Sequence, residues 1–202
     1  MDILSIMMEH ATGINERIAA HVQARRAQQG LSLDALASAA DVSRSMISLI
    51  ERAETSPSAV VLEKLATALG IPLASLFDAP AETPGGPVSR RKDQLQWKDP
   101  QSGYVRRNVS PTGVPQPMQI VEVHFPARGR VAFETGSRDA RVHQQVWVLD
   151  GAMDVTVGDT RHRLLKGDCL AMQLDRPTMF HNTTRKPARY AVVIATDPAV
   201  RR

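Results

Sequence analysis

Residues 31–53, LSLDALASAADVSRSMISLIERA, decide how the first part of the chain folds. Apolar side chains recur three and four apart at Leu33, Leu36, Ala37 and Ala40, the spacing of one buried helix face. Ser32 stands just before this run as an N-cap, a side-chain acceptor for the free N–H groups of a first turn. Ala40-Asp41-Val42 leaves room only for a tight turn, and Ser43 caps a further helix over 44–52. Two short helices joined in this way make a helix-turn-helix.

The pattern extends in both directions. Upstream, Ile14, Ile18 and Val22 predict a helix from about Ile14 to Ala27 that stops before Gly30. Met1–Glu9 is apolar, but it is too short and lacks the basic start of a signal peptide, so it reads as a frayed extension. Downstream, Ser56-Pro57-Ser58 breaks the chain and opens a helix carrying Leu62, Leu65, Ala66 and Leu69, ended by Gly70 and Pro72. An all-α bundle of five helices is expected over 1–78, with its core in 14–77. Residues 79–95 hold prolines, a Gly-Gly pair and Arg90-Arg91-Lys92, the composition of an exposed, semi-stiff linker.

Beyond Leu95 the period changes. Met118–Phe125, Val146–Leu149, Met153–Val157 and Arg189–Ala195 alternate, and Gly151, Gly158 and Gly167 punctuate them. Short strands at regular intervals predict an all-β sandwich or barrel over 96–202. Of 202 residues 43% are hydrophobic and only 4% aromatic, so aliphatic side chains are expected to supply most buried area. No apolar run approaches the ~20 residues of a membrane span. The single cysteine, Cys169, excludes an intramolecular disulfide, suits a reducing cytoplasm and reads as a small buried hydrophobe rather than a redox sensor. The net charge is +4, but residues 1–78 carry six Lys/Arg against nine Asp/Glu, a net of −3, leaving +7 for the rest. Nucleic-acid binding by the first part must therefore rest on a few placed cations.

Leu31, Ser32, Leu36-Ala37, Val42-Ser43, Ile47, Ile50-Glu51-Arg52, Pro57, Leu62, Leu65-Ala66, Leu69-Gly70 and Leu76-Phe77 resemble the helix-turn-helix of phage-repressor and XRE-type regulators, almost continuously over 14–77. The resemblance implies that the helix after Ser43 lies in the major groove of an operator. Arg44, Ser45, Ser48 and Leu49 then face base edges, and Ser43, Arg52 and Ser56 meet phosphates. Arg44 suits the bidentate contact to guanine, or else a phosphate contact. Arg26 and Glu51 match positions that pair in the family. Asp41 and Ala53 stand where the family often has glycine; if Ala53 takes positive φ, it costs about 1 kcal/mol.

The segment 131–182 resembles the cupins, double-stranded β-helix barrels whose two motifs usually carry a metal. Val148–Gly151 and Lys166-Gly167-Asp168 fit their turns, and the second motif lies in register from Gly167 to Asn182. The donor positions fall on Arg138 and Ala140 (or Ser137 and Asp139), Gln144 and Thr178. Transition-metal sites need converging imidazole, carboxylate or thiolate donors, so no metal and no cofactor is expected. His143 and His181 each stand one residue off, on the opposite face of a strand. A polar lining of Arg138, Gln144, Thr178 and Asn182 suggests instead a small-molecule effector, with Arg138 answering an anionic or carboxylate-bearing one.

Together these readings predict a cytoplasmic, homodimeric, non-enzymatic regulator that binds double-stranded DNA and senses a small molecule. Two alternatives stay open: a metal-dependent cupin enzyme with an accessory DNA-binding domain, and an antitoxin-like DNA-binding protein whose barrel only dimerises.

Overall fold

The computed structural model describes residues 3–77, 86–112, 117–134 and 141–197. Its first part is helical: α1 (Ile3–Gln28), α2 (Leu33–Ala40), α3 (Arg44–Glu51) and α4 (Ala59–Ala68), followed by a 3-10 turn over Leu73–Phe77. Ser32 and Ser43 cap their helices as the sequence predicts, their side chains accepting from the backbone N–H of Ala35 and Met46. Ser58 caps α4 in the same way, accepting from the Val61 N–H.

Two expectations are corrected here. α1 begins at Ile3 rather than near Ile14, because the run from Ile3 to Ala11 holds no breaker and simply prolongs the helix. The bundle has four α-helices, not five; the fifth place is taken by the 3-10 turn, which follows Gly70, at φ 64°, and Pro72.

Among the described residues the second part contains ten strands in two antiparallel sheets. The larger has the order β1 (Gln96–Lys98), β2 (Val105–Asn108), β3 (Met118–Phe125), β10 (Ala188–Asp197), β5 (Arg141–Asp150), β8 (Cys169–Gln173). The smaller has the order β4 (Arg130–Phe133), β9 (Thr178–His181), β6 (Ala152–Val157), β7 (Thr160–Leu165). Tyr190 lies opposite both Val123 and Val148, and its ring stacks on Phe180 of the other sheet at 5.9 Å, so these inner faces meet. Gly151, at φ 76°, makes the β5–β6 turn; a Cβ there would come within 2.9 Å of the Pro187 carbonyl oxygen.

The buried residues of both parts form one continuous apolar cluster, joined where Phe77 meets Trp97 at 5.5 Å. Three further contacts hold this seam. The N–H of Ala59, at the start of α4, donates to Asp99 Oδ1 at 3.0 Å. Asn108 Nδ2 donates to the Phe77 carbonyl at 3.1 Å, and the Arg106 guanidinium lies 4.7 Å over the Phe77 ring. Asp99 is itself fixed by Ser102, whose N–H and hydroxyl both donate to Oδ2. Within the 79–95 segment, Arg91–Asp93 forms a 3-10 turn and Gln94 is buried against Arg107.

Aromatic residues are few but not scattered. Phe77, Trp97, Tyr104, Phe125, Tyr190, Phe180 and Phe133 follow one another at centroid spacings of 5.5 to 6.2 Å. Of the chain's eight aromatic side chains, only Trp147 lies outside this series, and it is exposed.

Candidate nucleic-acid interface and interior cavity

Helical geometry sorts the side chains of α3 by direction. Ile47 and Ile50 are buried. Arg44 and Ser45 are exposed and Ser48 and Leu49 half-buried, at positions that share the other face. Ser43 and Ser45 hydroxyls lie 3.2 Å apart at the N-terminus of α3, where unpaired N–H groups favour an anion. Arg52 caps the C-terminal end of α3, donating to Ser48 Oγ at 2.5 Å and, through two nitrogens, to Glu54 at 2.8 Å. Arg44 pairs with Asp34 at 3.2 Å, both side chains more than 60% exposed. Such solvated pairs open at small cost, so the cations of this face are available to a competing anion. Ser56 is half-buried in the connection to α4.

The helix is clamped from behind. Arg26 of α1 grips Glu51 through two hydrogen bonds of 2.6 and 2.8 Å and donates a third to the Leu31 carbonyl at 2.9 Å. This is the pair that the resemblance implied. Asp41 and Ala53, which flank α3, both adopt left-handed backbone, at φ 49° and 56°. Lys64 of α4 donates to Asp41 Oδ2 at 2.6 Å and holds its carboxyl below the ordinary range.

The inner faces of the β unit line a cavity of about 80 Å³ whose wall includes Gln144 and Thr178. Arg138, with Ser137, Asp139 and Ala140, lies outside the described residues. Asn182 is placed elsewhere. It is fully buried, but its amide nitrogen donates to the carbonyls of Pro126 and Lys186 and its oxygen accepts from Thr184. Those bonds shape the β9–β10 loop and occupy the side chain. Nor is the lining predominantly polar: Val123, Phe125, Phe133, Phe180, Val192 and Ile194 dominate it.

Residues missed in the sequence complete the wall: Arg106, Tyr104 and Tyr190 from the strands, and Glu63 and Leu73 from the helical part. Arg106 and Glu63 are both more than nine-tenths buried. Burial raises the pKa of both tyrosines, against a smaller opposing influence of Arg106, so their hydroxyls stay protonated at neutral pH. Arg106 and Arg107 are adjacent and both buried on β2, and a pair of arginines in sequence offers no signal of burial. Glu63 reads as one more charged residue of an amphipathic helix.

His143, on β5, is exposed and lies between Val142 and Gln144, which line the cavity. His181 follows Phe180, another lining residue, and does not itself line it. Among the described residues no group of three His, Cys, Asp or Glu side chains is placed to hold a metal ion. An amide at Gln144 and a hydroxyl at Thr178 do not fit the donor set that a cupin metal requires. Cys169 is exposed, not buried as expected: it sits on β8 opposite Trp147, on the outer face of the larger sheet. No helix among the described residues is long and apolar enough to cross a membrane.

A capped helix pair with a clamped, outward-facing α3 defines a DNA-binding helix-turn-helix unit, and sequence comparison agrees. Residues 22–76 match the helix-turn-helix family HTH_3. Over 161 residues, 78% of this chain and 82% of the relative, the sequence is 30% identical to the HTH-type transcriptional regulator SutR of Escherichia coli K12. The chain belongs to the XRE-type helix-turn-helix transcriptional regulators. The crystal structure of an HTH_3 family transcriptional regulator from Vibrio cholerae shares the fold with a TM-score of 0.71 at 23% identity, covering 93% of this chain and 99% of that one. A weaker likeness, at TM-score 0.41 and 13% identity, is to the cupin domain of an XRE family regulator from Enterobacter cloacae, covering 47% of this chain and 98% of that one.

Proposed function

We propose that this chain is a homodimeric cytoplasmic regulator that reads double-stranded operator DNA with α3 and responds to a small molecule held in its β unit. In this reading residues 1–78 are the DNA-binding domain, 79–95 the connection, and 96–202 a double-stranded β-helix of cupin type without a metal. The observation that carries it is the disposition of α3. Its apolar face is buried on Ile47 and Ile50, its rear is fixed by the Arg26–Glu51 pair, and Arg44, Ser45, Ser48 and Leu49 lie on the other face, the one that meets base edges in this reading. Ser43, Arg52 and Ser56 hold the flanking phosphates. Arg44 takes the base-reading role because an arginine at a helix N-terminus reaches guanine O6 and N7 together.

The effector reading is supported by Gln144, Thr178 and Arg106 on the wall of an interior cavity. Catalysis is no part of it, because an amide and a hydroxyl replace the donors of a cupin metal. Two copies are required because one short helix reads too few bases for specificity. Met118, Ile120 and Trp147 are exposed and share the outer face of the larger sheet, a surface suited to a second copy.

The test is Arg44→Ala in an operator titration with footprinting. Affinity is expected to fall by about 1–3 kcal/mol, with relaxed preference at one base pair in each of two half-sites. Protection of a single half-site, or unchanged binding by the variant, overturns the reading.

A further inference from the structure

The cavity is not closed by the strands alone. Glu63 of α4, and Pro72, Leu73 and Ala74 of the segment that follows, form part of its wall, so the DNA-reading unit covers one side of it. Arg106 joins this cover to the interior. It belongs to the cavity wall, its guanidinium lies over Phe77 of the helical part, and the neighbouring strand residue Asn108 holds the Phe77 carbonyl.

We propose that the helix-turn-helix unit is the lid of the effector site, and that the site takes a short aliphatic monocarboxylate with its carboxylate on Arg106. The inference rests on the effector reading above and gives it a ligand class and a route of action. Among the described lining residues Arg106 is the cation and Glu63 the anion. A guanidinium binds a carboxylate by charge-assisted hydrogen bonds, which gain strength away from water. The aliphatic and aromatic remainder of the wall receives an alkyl tail and disfavours a second charge.

Volume sets the length of the tail. An engineered apolar cavity of about 150 Å³ accepts benzene, and this one is about 80 Å³, so it suits a molecule of only a handful of heavy atoms. A larger molecule would press on the wall that the helical unit supplies. Because the residue that anchors the ligand also covers Phe77, occupancy acts on the seam directly and need not travel through residues 79–95.

The chain's two tryptophans make the test specific. Trp97 is buried at the seam against Phe77, while Trp147 is exposed on the outer sheet face. In full-length Trp147→Phe protein, Trp97 is the sole indole and reports on the seam. Sodium butyrate, sodium malonate and butylamine are titrated at constant ionic strength, reading Trp97 emission and the thermal midpoint. Butyrate is expected to give a saturable emission change and a rising midpoint; malonate and butylamine are expected to give neither.

Arg106→Gln is expected to raise the half-saturating butyrate concentration at least tenfold. Ala74→Met fills the cavity from the lid and leaves the guanidinium intact, so it tests the site even if the Arg106 variant does not fold. It is expected to abolish the response. Absence of a saturable butyrate response, an equal response to all three compounds, or a response untouched by Ala74→Met overturns the inference. If butyrate fails while another compound class changes operator affinity, the carboxylate site falls and the effector reading stands. If butyrate binds through Arg106 but leaves operator affinity unchanged, the site stands and the effector reading falls.

Discussion

The proposed DNA-reading face and the interior cavity of this regulator are built in opposite ways. The face is a single helix and its caps, and its side chains are neighbours in sequence from Ser43 to Ser56. The cavity wall draws on α4, the turn after it and strands as far along as Ile194. On the face, charged groups are solvated and paired with acids they can leave, as Arg44 is with Asp34. Inside, Arg106 and Glu63 are buried. A site on one helix takes its geometry from local rules and needs only a clamp behind it. A site between sheets exists only when distant registers are all correct.

That contrast makes the clamp the most sensitive point of the helical part. The Arg26 and Glu51 side chains are 18% and 8% exposed, and removing one member of a largely buried pair strands the other. Glu51→Ala is expected to cost about 3 kcal/mol in chemical denaturation and to weaken operator binding. A loss well under 1 kcal/mol would mean that α3 is held by Ile47 and Ile50 alone.

The next effect is smaller and of opposite sign. Ala53 bears left-handed backbone at φ 56°, a conformation that costs an L-residue about 1–2 kcal/mol. Ala53→Gly is expected to raise the stability of the helical part by about 1 kcal/mol, after the entropy that glycine adds to the unfolded chain. No gain in the denaturation midpoint would show that the neighbouring turn relaxes to absorb the strain.

The smallest effect appears only in acid. Burial pushes the carboxyl of Glu122 up, but hydrogen bonds from Arg107 and His124 outweigh it and leave its pKa below the ordinary range. Asp154 behaves likewise, with Thr183, Arg161 and Arg163 overcoming its burial. Asp41 and Glu54 are lowered by solvated partners, Lys64 and Arg52. A depressed carboxyl contributes fully above its unfolded pKa, near 4, and the contribution is lost as pH falls through the folded value. Stability measured from pH 7 downwards should therefore decline below about pH 4. Added salt should erase the share of Asp41 and Glu54 and spare that of the two buried groups. If salt flattens the acid limb completely, the β-unit pairs are as solvated as those on the helices.

The same contrast explains what could be read from the sequence. The caps Ser32 and Ser43 and the Arg26–Glu51 pair follow from spacing and resemblance, and the structure has each. Asp41 and Ala53, noted as standing where the family often has glycine, do take left-handed backbone. Met118–Phe125 alternates and is a strand over that same span. The cavity was less legible. Gln144 and Thr178 were found through the cupin motif, whereas Asn182, next in the same motif, spends its hydrogen bonds on its own loop. Arg106 and Glu63 carried no local signal, because the seam that unites them depends on residues far apart. Aromatic scarcity pointed to an aliphatic core, yet it did not reveal that the few aromatics are gathered into one series.

The seam at Asp99 also bears on how such proteins recombine. From its sequence the chain is modular, a helical reader joined by a semi-stiff linker to a β unit, the receiver of its contacts. In the folded molecule the reader's α4 takes a hydrogen-bond acceptor from the receiver's Asp99, and its Phe77 is held by the receiver's Asn108 and Arg106. A reader grafted onto a foreign receiver would therefore arrive with a mismatched socket, however well the connecting segment was chosen. For exchange between regulators of this design, the transferable unit is the reader together with the β1–β2 strand pair that receives it.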